Sequence, residues 1–250
     1  MRTLKVLSAL LTYPTPELAA AGAELRAVLD REAVLPKRER AAVDALIADL
    51  ATHDMYDAQE RYILLFDRTR SLSLHLFEHV HGESRDRGQA MVDLIKVYEE
   101  GGFTPTTAEL PDFLPLFLEY AATRAPAEAI ELIGQPGHVF AAVRERLAKR
   151  SSPYEAIFAA LTALSRTKLD AAALAALRAE PDPEPDDLEA LDAAWEEEEV
   201  TFGPGSAAAA AACGTDVLAA KLRQAGRPAP GLEPPPGQRP RTIVTHRTAR

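Results

Sequence analysis

Apolar residues recur along the first two-thirds of the chain with the spacing of one helix face after another. Leu4, Leu7 and Leu11 stand at i, i+3 and i+7, which predicts a short helix over residues 3–13. Pro14 and Pro16 end it. Thr15 followed by Pro16 is a cap and a first-turn proline, the start of a second helix with Leu18, Ala21, Leu25, Val28 and Leu29 on one face. Beyond Pro36, Val43, Leu46, Ile47 and Leu50 complete a third face, and Asp54 caps a fourth helix that turns Tyr62, Ile63 and Phe66 inward.

The pattern changes at Ser71–Leu76, where apolar and polar residues alternate with the period of a strand. No partner strand stands elsewhere in the sequence, so a short helix, Leu72–Val80, is expected instead, stopped at Gly82. Ser84 reads as the cap of the next helix, with Asp86 in its first turn to complement the dipole and Met91, Leu94, Ile95 and Tyr98 as its face. Gly101-Gly102 ends it. After Glu109-Leu110-Pro111-Asp112 comes a face of Leu114, Phe117, Leu118 and Ala121, with Pro115 in the first turn. Further helices are predicted over 137–149 (Phe140, Val143, Leu147) and 153–167 (Ile157, Leu161, Leu164), with a weaker one over 171–179. With no repeat and no strand pair, the fold class is all-α, a single helical-bundle domain over residues 1–170.

Composition shifts after that point. Residues 180–199 hold eleven Asp/Glu and no Lys or Arg, so 171–205 reads as a weak helix plus an acidic linker containing Trp195. Residues 206–250 are alanine-rich, then rich in Pro and Arg, and are expected to form a flexible tail. The net charge of −10 argues against nucleic acid as a partner. A single cysteine, Cys213, allows no intramolecular disulfide and suits a reducing, cytoplasmic compartment. No apolar run approaches the roughly 18 residues of a membrane span, and the opening MRTLKVLSALLTYP lacks the uninterrupted apolar stretch of a signal peptide.

The chemistry concentrates between Tyr62 and Tyr98, which holds three of the six histidines. His75-Leu76-Phe77-Glu78-His79 matches H-x-x-E-H. On a helix, His75 and His79 would share a face and could hold zinc while Glu78 activates water. A third ligand with its own motif is missing, and no nucleophile elbow or phosphate-binding glycine loop occurs in the chain. The alternative is a hydrogen-bonded network of charges that fixes a helix–loop–helix corner.

Several segments together resemble the assembly chaperones of respiratory nitrate reductase, in the TorD-like family of redox-enzyme maturation proteins. The resemblance rests on Leu64-Leu65-Phe66-Asp67-Arg68, on the run Leu76-Phe77-Glu78-His79-Val80-His81-Gly82-Glu83-Ser84-Arg85-Asp86-Arg87-Gly88-Gln89-Ala90-Met91-Val92-Asp93-Leu94, and on Glu109-Leu110-Pro111-Asp112 with Leu114-Pro115-Leu116 and Leu118-Glu119-Tyr120. Trp195-Glu196-Glu197-Glu198 and the opening Leu10-Leu11-Thr12-Tyr13-Pro14 also fit. It covers most of residues 4–205 and implies an all-helical cytoplasmic protein that is not an enzyme and binds no cofactor permanently. Such chaperones bind the N-terminal segment of the molybdenum-containing α subunit until molybdopterin guanine dinucleotide is inserted, before docking at the membrane. In that setting Tyr62, Phe66, Leu72, Phe77 and Phe117 are expected to contribute groove walls, framed by Asp67, Arg68, Glu78, His79, His81 and Asp112. A helical groove of this kind takes an amphipathic client helix.

Overall fold

A computed structural model describes residues 1–82, 86–104, 109–165, 167–183, 187 and 189. All of them lie in one compact unit, Met1–Ala193. The fold class is all-α, as expected. The described helices are α1 Arg2–Leu10, α2 Pro16–Ala20, α3 Gly22–Glu32, α4 Lys37–Thr52, α5 Met55–Phe66, α6 Leu76–His81, α7 Asp86–Glu100, α8 Leu114–Thr123, α9 Pro126–Gly134, α10 Gly137–Lys149, α11 Glu155–Ser165 and α12 Ala171–Ala179.

Local chemistry sets several of these starts. The Thr15 hydroxyl accepts from the Leu18 N–H at α2, and the Asp54 carboxylate accepts from the Tyr56 N–H at α5. Asp170 accepts from both Ala172 and Ala173 at α12. Prolines occupy the first turns of α8 and α9, where a missing N–H costs nothing.

The core forms where α1 packs on α8 and α3, α10 on α11 and α12, and α11 on α4 and α9. Its aromatic centre joins α5 to the start of α11, with the Phe66 ring edge-on to Tyr154 at 5.1 Å and to Tyr62 at 5.0 Å. The Tyr62 hydroxyl donates to Leu11 O at 2.8 Å, so even this polar tip serves the interior. Leu174 and Leu177 of α12 are buried in the same core. A smaller second cluster, Tyr98, Leu116 and Tyr120, attaches the C-terminal end of α7 to the outer side of α8. There Gly101 lies so close to the Tyr120 ring that a Cβ would stand 2.5 Å from its hydroxyl oxygen.

Four details depart from the sequence expectation. The predicted second helix is broken at Ala21, where ψ moves to 1°, and resumes as α3. Gly22 then packs against α4, with room of only 3.1 Å between a Cβ and Ile47. A further helix, α9, lies where none is expected: it is bracketed by Pro126 and Gly134, and Ala129 and Ile133, at i and i+4, are its buried positions. The expected helix Leu72–Val80 is instead a 3-10 turn at Arg70–Leu72, an extended Ser73–His75, and α6. Ile63, expected to face inward, is 39% exposed. The expected Ser84 cap, Trp195, most of the acidic linker beyond Pro183, and the tail lie outside the described residues.

Candidate functional site

The alternation at Ser71–Leu76 did signal extended backbone, and its partner is a single residue. His75 forms an antiparallel bridge with Phe113: the Leu114 N–H donates to Leu74 O at 2.8 Å, and the Leu76 N–H donates to Asp112 O at 3.1 Å. Only the fold brings these segments together, since 37 positions separate His75 from Asp112.

Asp112 is the hub of the corner. Its carboxylate is fully buried and accepts from the Phe77 N–H at 3.1 Å and from His75 Nδ1 at 3.3 Å. Helix α6 has no cap of its own, because its N-cap residue is His75. Asp112 supplies that cap from the segment before α8, satisfying an orphan N–H and placing negative charge at the helix start. Arg87 of α7 reaches back to Glu78 at 3.0 Å and stands 4.0 Å from Asp112. One carboxylate therefore ties three elements: the turn before α6, α6 itself and α7.

The H-x-x-E-H pattern is used differently from a zinc pair. His75 lies before the helix, with φ −91° and ψ 109°, so it does not share a helical face with His79. His79 points into the interior, and its Nε2–H donates to Ser73 O at 2.8 Å. Among the described residues no three His, Cys, Asp or Glu side chains gather in a form that could hold a metal.

These contacts move the ionisations apart. The hydrogen bond to Asp112 raises the His75 pKa against the opposing effect of burial, with help from Asp112 and Glu78 charge and opposition from Arg87. Burial lowers the His79 pKa, and the Arg146 and His138 charges add to that, against the Ser73 carbonyl and Glu78. Burial would raise Asp112, but hydrogen bonds from His75 and the Phe77 N–H, and the charges of His75 and Arg87, hold it below the usual carboxylate value. The two histidines thus act on opposite sides of their common ordinary value of 6.5. His75 stabilises fully below 6.5 and loses that contribution as pH rises through its elevated folded pKa. His79 stabilises above 6.5 and loses its contribution as pH falls through its depressed folded pKa. Urea unfolding of His75→Asn and the native chain between about pH 6 and pH 9 is expected to give curves that converge toward the alkaline end. Parallel curves would remove the assignment.

The expected groove residues divide by depth. Tyr62, Phe66, Leu72 and Phe117 are core residues, so in this conformation they back the corner from inside and offer no surface. His79 and Asp112 are buried frame members. Phe77 is half-buried, with its ring edge-on to His81 at 5.6 Å, and Glu78 and His81 are also half-buried. Asp67 and Arg68 are exposed. Around them α6 and α7 leave Val80, Val92 and Val97 exposed, and Tyr98 is the one residue of α7 that is fully buried.

Sequence reasoning missed a second set. Arg146, only 4% exposed, donates to Ser71 O at 2.8 Å and to Leu177 O at 2.6 Å. The Ser71 hydroxyl donates to Asp182 at 2.9 Å, and Arg150 donates to the same carboxylate at 2.9 Å and to Pro183 O at 2.7 Å. The first residues of the acidic segment are therefore seated on α10, beside the turn that leads into α6. The available signal was a trio of cations at the end of a predicted helix, Arg146, Lys149 and Arg150, followed in the chain by a block of acids.

Residues 17–160 match the family described as "Nitrate reductase delta subunit". The chain belongs to the nitrate reductase delta subunit family. Similar members are the "Nitrate reductase molybdenum cofactor assembly chaperone NarJ" of Escherichia coli K12, 42% identical over 92% of this chain and 95% of that protein. The same organism's "Probable nitrate reductase molybdenum cofactor assembly chaperone NarW" is 37% identical over 81% of this chain and 84% of its own length. The Bacillus subtilis "Probable nitrate reductase molybdenum cofactor assembly chaperone NarJ" is 33% identical over 64% and 83%. The delta subunit family signature thus runs from within α2 to the middle of α11, the whole of the Asp112 corner included.

Proposed function

We propose that the protein is an assembly chaperone for a respiratory nitrate reductase. In this reading it holds the N-terminal segment of the molybdenum-containing α subunit until molybdopterin guanine dinucleotide is inserted, and so precedes docking at the membrane. It acts in the cytoplasm by binding, breaks no bond and keeps no cofactor of its own. The observation that carries this is the 42% identity to the NarJ chaperone across nearly the full length of both chains. No described helix is long and apolar enough to cross a membrane, which agrees with a role away from the bilayer.

The client surface in this reading is the α6–α7 face of the corner. Phe77, Glu78 and His81 meet the client directly, and Asp67 and Arg68 frame its approach. The buried members, Tyr62, Phe66, Leu72, His79, Asp112 and Phe117, hold that face in shape. Val80, 52% exposed on α6, supplies an apolar anchor of the kind an amphipathic client helix needs. Affinity-tagged chain is expected to capture the nitrate reductase α subunit from cells, and a peptide of its N-terminal segment in vitro. Val80→Asp is expected to weaken peptide binding about tenfold or more while unfolding stays unchanged. Full binding by Val80→Asp would move the client elsewhere on the protein, and no capture of the α subunit by the native chain would overturn the function itself.

A further inference from the structure

Three helix ends meet on one side of the protein. The Glu32 carboxylate, at the end of α3, accepts from the Arg2 and Thr3 N–H groups at 2.6 and 2.7 Å, which sets the start of α1 beside it. The Arg40 guanidinium reaches Asp30 at 2.8 Å, which sets the start of α4 there too. Between α3 and α4 the chain turns at Ala33, whose φ is 47°, and leaves Val34 39% exposed. On these same helix ends stand Arg2, Lys5, Arg31, Lys37 and Arg38, all exposed. We propose that this basic end is a peripheral contact for an anionic lipid surface, with the five cations on phosphate headgroups and Val34 at the interface.

The charge is local and uncommitted. Residues 1–5 and 30–40 carry six Lys and Arg against three acids, in a chain whose net charge is −10. Two of those acids are already engaged, Glu32 by the start of α1 and Asp30 by Arg40. The third, Glu39, is half-buried in the first turn of α4. None of the five exposed cations has a carboxylate within ion-pair distance among the described residues. The end of α8 lies on the same side, since the Met1 amino group donates to Ala122 O at 2.7 Å. With the start of α9 it adds the exposed Glu119 and Glu128 and the half-buried Arg124, and the balance stays positive.

The placement runs against helix stability. Arg2 opens α1, which has no acid in its first turn. Lys37 and Arg38 open α4, whose N-cap Pro36 offers no side chain to the free N–H groups. Cations at these positive ends of the helix dipoles are unfavourable, and acids are what stability alone would place there. Only Arg31, in the last turn of α3, complements a dipole. An anionic partner removes the conflict. A bilayer fits better than a folded acidic protein, because mobile headgroups gather under five cations without a matched pattern of carboxylates. Nucleic acid fits less well, since residues 1–5 and 30–40 hold no aromatic ring for a base to stack on. Each Lys or Arg close to an anionic surface strengthens binding roughly fivefold. The negative body of the molecule, held farther off than the screening length of about 8 Å, opposes this little at physiological salt. The contact is peripheral and reversible, and the protein still works from the aqueous side.

The test uses the full chain and two sets of sedimenting vesicles, one of phosphatidylcholine and one with about a third phosphatidylglycerol. The chain is expected to co-sediment with the anionic vesicles only, and to come off as salt rises toward about 0.5 M. Lys37→Glu with Arg38→Glu is expected to cut partitioning at least about tenfold, and Val34→Asp about threefold or more. The same charge reversal should keep or raise the urea midpoint, because acids then complement the α4 dipole. Binding lost while stability is kept or gained is a pairing that a structural role for these cations does not give. Lys168→Glu, which removes an exposed cation between α11 and α12, should leave partitioning unchanged. So should Val80→Asp, which separates this contact from the α6–α7 face. No co-sedimentation, equal uptake by both vesicle sets, full uptake by the chain with Lys37→Glu and Arg38→Glu, or an equal loss on Lys168→Glu overturns the proposal. Capture of polyglutamate by the native chain without vesicle binding does so too, since the partner would then be an acidic protein.

Discussion

Asp112→Ala is expected to lower the stability of the folded chain by about 3–5 kcal/mol, the range for removing one partner of a buried charge network. Three groups lose their acceptor at once. The Phe77 N–H and the His75 ring lose hydrogen bonds of 3.1 and 3.3 Å, and Arg87 loses a buried counter-charge. None of them finds water easily, because the carboxylate site is fully closed to solvent. Loss of the cap also frays α6, which at six residues cannot persist without tertiary support. Asp112→Asn is expected to cost less, since an amide oxygen still accepts from the Phe77 N–H, but it removes the charge that raises the His75 pKa. Urea denaturation gives the comparison directly. A midpoint for Asp112→Ala within error of the native chain would show that Asp112 does not hold the corner.

Arg146→Met is expected to cost about 3 kcal/mol, because two buried carbonyls, Ser71 O and Leu177 O, lose their donors at a penalty of roughly 1–3 kcal/mol each. Methionine retains most of the packing volume, so the loss reads on the hydrogen bonds and the charge. The second consequence is local. Arg146 links the turn before α6 to the end of α12, and the Ser71 hydroxyl and Asp182 complete that link at 2.9 Å. Hydrogen exchange in Arg146→Met is expected to quicken at Leu72–Leu76 and at Leu177–Asp182 together, leaving α1 and α3 protected. Quickening confined to one of these two segments would mean that they are not coupled through this residue. Arg178 with Glu145 is the useful contrast. Both are exposed, and breaking that pair should alter stability little.

The helices were legible to very different degrees. The expected helix over 137–149 coincides with α10, since Phe140, Val143 and Leu147 mark a fully buried face and glycine opens it. The face Met91, Leu94, Ile95 and Tyr98 gave α7 its helix but misled about depth, because only Tyr98 is enclosed. Ile63 misled in the same direction. Periodicity reports which residues share a side and says nothing about whether another element arrives to cover that side. The strand-like alternation at Ser71–Leu76 is a true local signal of extended backbone. Its partner proved to be the single residue Phe113, too short a segment to leave a period of its own.

For the site, the motif-bearing stretch was recognisable, but the division of labour within it was not. Nothing in the order of residues distinguishes His75, which caps nothing and turns toward Asp112, from His79, which donates into the interior. The sequence by itself determined the all-α class, most helix positions and the segment around which the protein is built, because these follow from local spacing, caps and breakers. Its family likeness also followed from residue order alone. The tertiary structure alone decided that Asp112 caps a helix 35 residues away from it in sequence, that Arg146 and Asp182 brace the same turn, and that Tyr13, Tyr56 and Ile63 remain uncovered. The physical reason is that burial and hydrogen bonding are properties of pairs brought together from distant parts of the chain, whereas helical periodicity is a property of neighbours.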